Sequence, residues 1–262
     1  MASSTSPAVG RALDVLLHLA GRPGPVAGAA LIRDLGMPRS SAYHLLAVLT
    51  ERGFVLHYPE ERAYGLGVAA FEIGSAYLRQ APLEHLGRPL TRRLALRTGE
   101  IAHLGILHGP DTLYLVKERP PQEAPVSLVT DVGVRLPASL TANGRSMLAH
   151  LGPAQLRALF PAPSSLVVRT DTGPTTPTEL RALLTAERRR GWALEDGMIT
   201  PGMRSIGACA FDHHGAPVAA FSVTSRGDRP VSGEQEIAAA TRSAARALTR
   251  RLSGTAPAGW FD

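Results

Sequence analysis

The chain has 262 residues, 44% of them apolar and 19% charged, the balance of a soluble globular protein long enough for one large domain or two ordinary ones. No apolar run approaches the roughly 20 residues of a membrane span. The one cysteine, Cys209, excludes an intrachain disulfide and points to a reducing, intracellular setting. The formal charge is +6 and favours an anionic partner, yet residues 1–84 set seven Arg against seven Asp or Glu, so the excess lies wholly beyond them.

The opening residues MASSTSPAVG lack a basic stretch followed by an apolar run, so no secretory signal is expected and a cytoplasmic location is. Leu13, Leu16, Leu17 and Ala20 stand at i, i+3, i+4 and i+7, the stripe of an amphipathic helix, which GRPGP (21–25) breaks. A short helix is expected over 27–35, ending at Gly36. Pro38 suits the first turn of the next helix, in which Ala42, Leu45, Leu46 and Leu49 repeat the stripe and Gly53 closes it. FVLHYPEERAYGLG reads as a two-stranded hairpin, with strands near 54–57 and 63–66. Three helices and a hairpin in about 60 residues make a winged helix-turn-helix plan. VAAFEIGSAYLRQ (68–80) reads as a further helix before Pro82.

Beyond residue 83 the pattern changes. A helix runs to Gly99; IAHLGILHG and DTLYLVKER form a hairpin across GPD; VSLVTDVG reads as another strand; TANGRSMLAHL begins a helix. Residues 163–177 read as a loop, TELRALLTAERRRG as a helix ending at Gly191, IGACAFD and PVAAFSVTS as a second hairpin across HHGA, and 233–252 as a last helix. Strands and helices alternate without a βαβ rhythm. The expected fold class is α/β overall, with a winged helix-turn-helix at the N-terminus and a C-terminal domain of mainly antiparallel sheet, packed helices and a cavity beneath loops.

The segment GMPRSSAYHLLAVLTERGFV (36–55) carries the first functional reading. A recognition helix places donors near its N-terminus, the end that enters the major groove. Arg39 can reach phosphate or guanine, Ser40 and Ser41 can reach phosphate, and Tyr43 and His44 extend the same face. A winged helix also serves protein contacts, and the pattern alone leaves that open. His57 and Arg62 on the wing read as phosphate or minor-groove contacts, or equally as exposed charges on a hairpin edge.

Other groups read more plainly. His103, His108, His213 and His214 lack the company of cysteines or an HExxH motif, so no metal or other cofactor is expected. DHHG reads as a hairpin turn, ERRR (187–190) as a solvated helix end, and Cys209 as a buried, inert thiol. No GxSxG, GxxxxGK[ST] or dinucleotide-binding glycine motif is present, so an enzyme is not expected. A small-molecule hydrolase in the C-terminal domain is the rival class.

The stretches RALDVLLHLA, LIRDLGMPRSSAYHLLAVLTERGFV, YGLG…EIGSAYL, TGEIAHLGILHG, RLPASLTANGRSMLA and RRRGWALEDG…PGMRSIGACAFDHHGAPVAAFSV occur in order at compatible spacings. With them the chain, over residues 7–252, resembles IclR-type bacterial transcriptional regulators. The resemblance implies a DNA-binding domain over 1–67, a linker helix over 68–82, a GAF-like effector domain over 83–252 and a tail over 253–262. It implies a double-stranded DNA operator, a homodimer or homotetramer, a small organic effector, and repression or activation. Carried over to this chain, the effector pocket comprises Ala142 and Asn143 at a helix start, Leu128 and Leu136 as apolar wall, and Glu195, Met203 and Ser205 opposite. Plain core packing is the alternative for Leu128, Leu136 and Met203. Many members carry Asp in place of Glu195, Cys in place of Ser205, and a small residue in place of Asn143. A helix start capped by Ser139 or Thr141 suits a carboxylate, and Glu195 beside it favours a hydroxy- or amino-substituted acid.

Overall fold

A computed structural model describes residues 6–22, 24–79, 82–121, 129–227 and 231–260. The chain divides into two compact units, Met1–Ala81 and Pro82–Asp262.

The first unit holds α1 (Pro7–Ala20), β1 (Val26–Ala27), α2 (Gly28–Asp34), α3 (Arg39–Glu51), β2 (Val55–Tyr58), β3 (Ala63–Leu66) and α4 (Val68–Arg79). Its sheet has three antiparallel strands in the order β1-β3-β2, not the two expected, because Val26 and Ala27 pair with Tyr64 and Ala63. Two residues inside a Gly- and Pro-rich break carry no periodicity, and only the edge of β3 recruits them. Ala42, Leu46 and Leu49 of α3 enter a core with Leu31, Ile32, Met37 and Val55. Helix α1 departs from expectation. Its buried residues are Val15 and Leu19, whereas Leu13 and Leu17 of the expected stripe are 55% and 71% exposed.

The second unit is a six-stranded, wholly antiparallel sheet in the order β6-β5-β4-β9-β8-β7. The strands are β4 (Ile101–His108), β5 (Asp111–Glu118), β6 (Arg135–Pro137), β7 (Ala193–Asp196), β8 (Met203–Phe211) and β9 (Pro217–Arg226). Alternation along β8 and β9 separates two apolar faces. Ala208, Ala210, Ala219 and Phe221 meet Leu90, Leu94, Ala245 and Leu248 of α5 (Pro82–Thr98) and α9 (Val231–Arg251). Cys209, Phe211 and Ala220 pack instead with Met147 of α6 (Ala142–Leu148) and with Trp260. Cys209 is fully buried, and burial pushes its thiol up, which matches the inert reading. Helices α7 (Pro153–Leu159) and α8 (Pro177–Arg190) complete a third cluster around Leu148, Leu180 and Leu184.

Three local expectations differ from the structure. No strand occupies 129–134; the edge strand is β6, three residues long, and 122–128 lie outside the described residues. Strand β7 and helix α7 were too short to show a period. The run ERRR is not wholly solvated: Glu187 is 1% exposed and holds the fully buried Arg145 of α6. Arg145 Nε donates to Glu187 Oε1 and Oε2 at 3.0 and 3.1 Å, Nη1 donates to the Ser139 carbonyl at 3.3 Å, and Nη2 donates to the Leu194 carbonyl. Glu187 Oε1 also accepts the Leu194 N–H. Burial raises the Glu187 carboxyl and Arg145 pulls it back down.

Removing one partner of such a pair leaves a buried, uncompensated charge. Glu187→Ala is therefore expected to lower stability by about 3–5 kcal/mol in urea denaturation, and Arg145→Met/Glu187→Leu by much less. Equal losses in the single and double variants would show that the pair has no such role.

Candidate nucleic-acid interface and ligand cavity

In the first unit, α3 begins at Arg39, and its inward side is spent on Ala42, Leu46 and Leu49. That leaves Arg39, Ser40, Ser41, Tyr43 and His44 exposed together around the helix start. Arg39–Tyr43 and Ser40–His44 are i,i+4 pairs on neighbouring rows of this face. Arg39 forms no ion pair among the described residues, whereas the nearby acid Asp34 is occupied by His18, Arg22 and Arg33. The balance of charge over residues 1–84 thus conceals a locally uncompensated cation.

His57 and Arg62 are exposed on the wing. Arg62 sits in the turn at φ 51°, where its carbonyl accepts the Gly28 N–H at 3.0 Å. His57 stacks on Tyr64 across the β2–β3 pair, with ring centroids 4.6 Å apart. Tyr64 was not singled out from the sequence. Burial raises its phenol, and Tyr43 of α3 adds to the shift. The opposed register of β2 and β3 was the available signal. The turn also exposes Glu60 and Glu61 beside Arg62, which weakens the wing tip as a phosphate contact.

In the second unit a small cavity, part of it open to solvent, is lined by five of the seven residues expected at the pocket: Ala142, Asn143, Glu195, Met203 and Ser205. Leu136 does not line it; it is buried in β6 opposite Thr112, on a strand edge. Leu128 lies outside the described residues. Residues the sequence reading did not assign to the pocket wall are Tyr114, Thr130, Thr141, Thr200 and Thr224, which add hydroxyls, with Val129 and Ile199. Strand alternation could have placed Tyr114; the others come from loops or from a distant strand.

Two glycines let α6 reach the sheet. A Cβ on Gly144 would lie 2.4 Å from the Ala138 carbonyl, and one on Gly207 would lie 2.4 Å from that of Ala142. Thr141 caps α6, accepting the Gly144 N–H at 3.1 Å while bonding to the Thr112 hydroxyl at 2.8 Å. Asn143 donates its amide to the Ala220 carbonyl at 2.7 Å, so it tethers α6 to β9 as well as facing the cavity.

Glu195, 2% exposed, lies opposite Ser205 in the β7–β8 pair and accepts the Ile199 N–H at 3.1 Å. Burial raises its carboxyl, which the Ile199 N–H, Ser205 and Arg145 partly offset. Ser205 in turn bonds Thr224 at 3.0 Å. Behind the wall, Thr130 bonds Nε2 of the buried His103, whose imidazole burial pushes down to about 3, leaving it neutral. Among the lining residues there is no Lys, Arg or His. The cavity offers hydroxyl groups and one protonatable carboxyl, a set suited to a small hydroxylated molecule.

No group of three or more His, Cys, Asp or Glu able to hold a metal occurs among the described residues. His213 and His214 occupy the β8–β9 turn, where Asp212 accepts the His214 and Ala216 N–H groups at 2.9 Å. No helix among the described residues is long and apolar enough to cross a membrane.

Comparison with known proteins bears on both units. Residues 8–57 match the IclR helix-turn-helix domain, and residues 75–250 match the family described as bacterial transcriptional regulator IclR C-terminal. The HTH-type transcriptional regulator BhcR of Paracoccus denitrificans is 34% identical over 217 residues, 83% of this chain and 76% of its own length. The transcriptional repressor IclR of Escherichia coli K12 is 28% identical over 229 residues, 85% of this chain and 83% of its own. A crystal structure of a putative IclR transcriptional regulator from Silicibacter sp. TM1040 superposes with a TM-score of 0.65 at 28% identity, covering 97% of this chain and 99% of that one. These are regulators, not enzymes, so the hydrolase reading falls away.

Glu195 sets a pH signature. Its folded-state pKa lies above the unfolded value, so its stabilising protonation is fully present below the ordinary carboxyl value, about 4.3, and is lost as pH rises through the folded value. Glu195→Gln lacks this loss. Its stability relative to the wild-type protein is therefore expected to improve from pH 4 towards neutrality, as read by urea midpoints; parallel curves for the two proteins would refute it.

Proposed function

Because the chain belongs to the IclR family of bacterial transcriptional regulators, DNA-binding proteins, we propose that it reads a pseudo-palindromic operator in double-stranded DNA through α3 and answers to a small organic effector held in the cavity of the second unit. The observation that carries this is the exposed start of α3. Arg39, Ser40, Ser41, Tyr43 and His44 form one donor-rich face with no acid of their own among them. His57 and Arg62 on the wing take the adjoining backbone as a secondary contact. Protein contact through the winged helix explains less, because the unpaired Arg39 sits at the helix end that enters a major groove.

The effector site comprises Ala142, Asn143, Glu195, Met203 and Ser205, joined by Tyr114 and the threonines of the wall. A substituted carboxylic acid fits with Glu195 protonated, since two carboxylates would repel each other in so buried a place; its hydroxyl or amino substituent meets Glu195 and Ser205. Leu136 belongs to the core and has no part in this reading.

A single small unit binds too weakly to select one site among a genome of competitors, so the working species is a homodimer or a pair of dimers in the cytoplasm. Two exposed apolar surfaces of the first unit support it. Val9, Leu13 and Leu17 recur every four residues along α1, at 57%, 55% and 71% exposure. Val68, Phe71 and Ile73 of α4 are exposed to a similar degree.

Two experiments test the reading. Arg39→Ala should leave the fold intact and weaken operator binding by about 1–3 kcal/mol, if it makes a bidentate base contact; a gel shift unchanged by the substitution would remove Arg39 from the interface. Leu13→Glu/Leu17→Glu should drive the protein towards monomer in sedimentation and abolish tight operator binding. A variant that stays dimeric would place the subunit contact elsewhere.

A further inference from the structure

The second unit carries a second concave surface that the regulatory reading does not use. It is an open groove of about 260 Å³ between the end of α6, α7 and α8. Its floor is Leu148, Leu151, Leu156 and Leu184, the outer side of the third core cluster. Its rim carries three exposed guanidinium groups, Arg157 from α7 and Arg181 and Arg188 from α8, and no acidic residue lines it. None of the three is paired with a carboxylate among the described residues; Arg181 reaches only the Thr178 hydroxyl. Contrast Glu187 of the same helix, which faces the interior and is spent on Arg145. Beside the groove, burial lowers His150 to about 4, and Arg188 adds to the shift.

We propose that this groove docks an acidic amphipathic helix of a protein partner. Along α8 the lining residues Arg181, Leu184, Thr185 and Arg188 stand at i, i+3, i+4 and i+7, with cations at both ends and the edge of the buried Leu184 and the Thr185 hydroxyl between them. The two end positions are two turns apart, about 10.5 Å along the axis. A partner helix with carboxylates at i and i+7 and leucines at i+3 and i+4 matches that spacing, laying its apolar centre on the leucine floor. A compact metabolite spans less than this and leaves one end of the stripe unmet. Arg157, on the opposite wall, meets a further carboxylate and selects against basic segments, since like charges across an interface are costly.

The probe is a labelled, alanine-rich 15-residue helical peptide with glutamate at positions 4 and 11 and leucine at 7 and 8, titrated into the full-length protein and followed by anisotropy. A control peptide carries lysine at 4 and 11. The glutamate peptide should bind, and Arg181→Glu/Arg188→Glu should weaken it at least ~10-fold while helical circular dichroism and operator binding persist. The same variant should bind the lysine peptide at least ~10-fold better than the wild-type protein does. Wild-type protein that binds both peptides alike, or neither up to about 1 mM, the weak end of the affinity scale, overturns the proposal. So does a change of oligomeric mass in the double variant without peptide binding, which would assign the groove to a second copy of this chain.

Discussion

The second unit is organised around one buried ion pair. Arg145 and Glu187 are both out of water, and neither charge is tolerable there alone. Their hydrogen bonds therefore have to be satisfied by whatever surrounds them: the Ser139 carbonyl before α6, and both backbone groups of Leu194 in β7. Such a pair adds little net stability over a well-packed apolar one. It permits few alternative arrangements, however, because any slip of α6 or α8 exposes an unmet charge to an apolar interior. Specificity is the contribution we assign to it.

The cavity inherits its shape from this constraint. Helix α6 presents Ala142 and Asn143 to the cavity from its first turn and Arg145 to the ion pair from the next residues. Arg145 also approaches the sulfur of Met198, and the following residue, Ile199, donates its N–H to Glu195. The pair thus reaches the cavity by two routes, one through α6 and one through the 197–202 turn. The close glycines at 144 and 207 leave α6 no room to rise from the sheet. Under the proposed function a small molecule there meets a wall on which Ser205 and Thr224 bond each other, Thr141 bonds Thr112 and Thr130 bonds His103. It can shift the protein between states only by as much as it favours one over the other.

The two units handle charge in opposite ways. In the first, seven arginines and six acids nearly balance and hide an exposed arginine at the start of α3, because Asp34 is held by its own neighbours. In the second, which carries the excess positive charge, the cavity is lined without a cation and free arginines gather instead over the α7–α8 groove. Counting charges along the chain describes neither arrangement, since what matters is which charges find partners within reach.

Amphipathic periods were enough to locate α3, α5, α8, α9 and both central hairpins, because each is long enough for its apolar spacing to exceed chance. The donor-rich face around Arg39 was legible for the same reason: once Ala42, Leu46 and Leu49 are known to turn inward, the remaining positions must face out. Local spacing could not identify β1, β7 and α7, which exist because a neighbouring edge or helix completes them. Nor could it say which apolar stripe of α1 is buried, since Val15 and Leu19 turn inward while Leu13 and Leu17, equally apolar, do not. Glu187 stands in a run that any solvated helix end would carry, and its partner lies 42 residues earlier in the chain. The sequence by itself determined the helices and strands with a period, the two-part plan and the outward face of α3, because these depend on neighbours along the chain. Only the tertiary structure decided the ion pair, the hydroxyl-lined wall around Glu195 and the leucine floor beneath the arginines, because each joins side chains whose proximity is set by packing across the sheet.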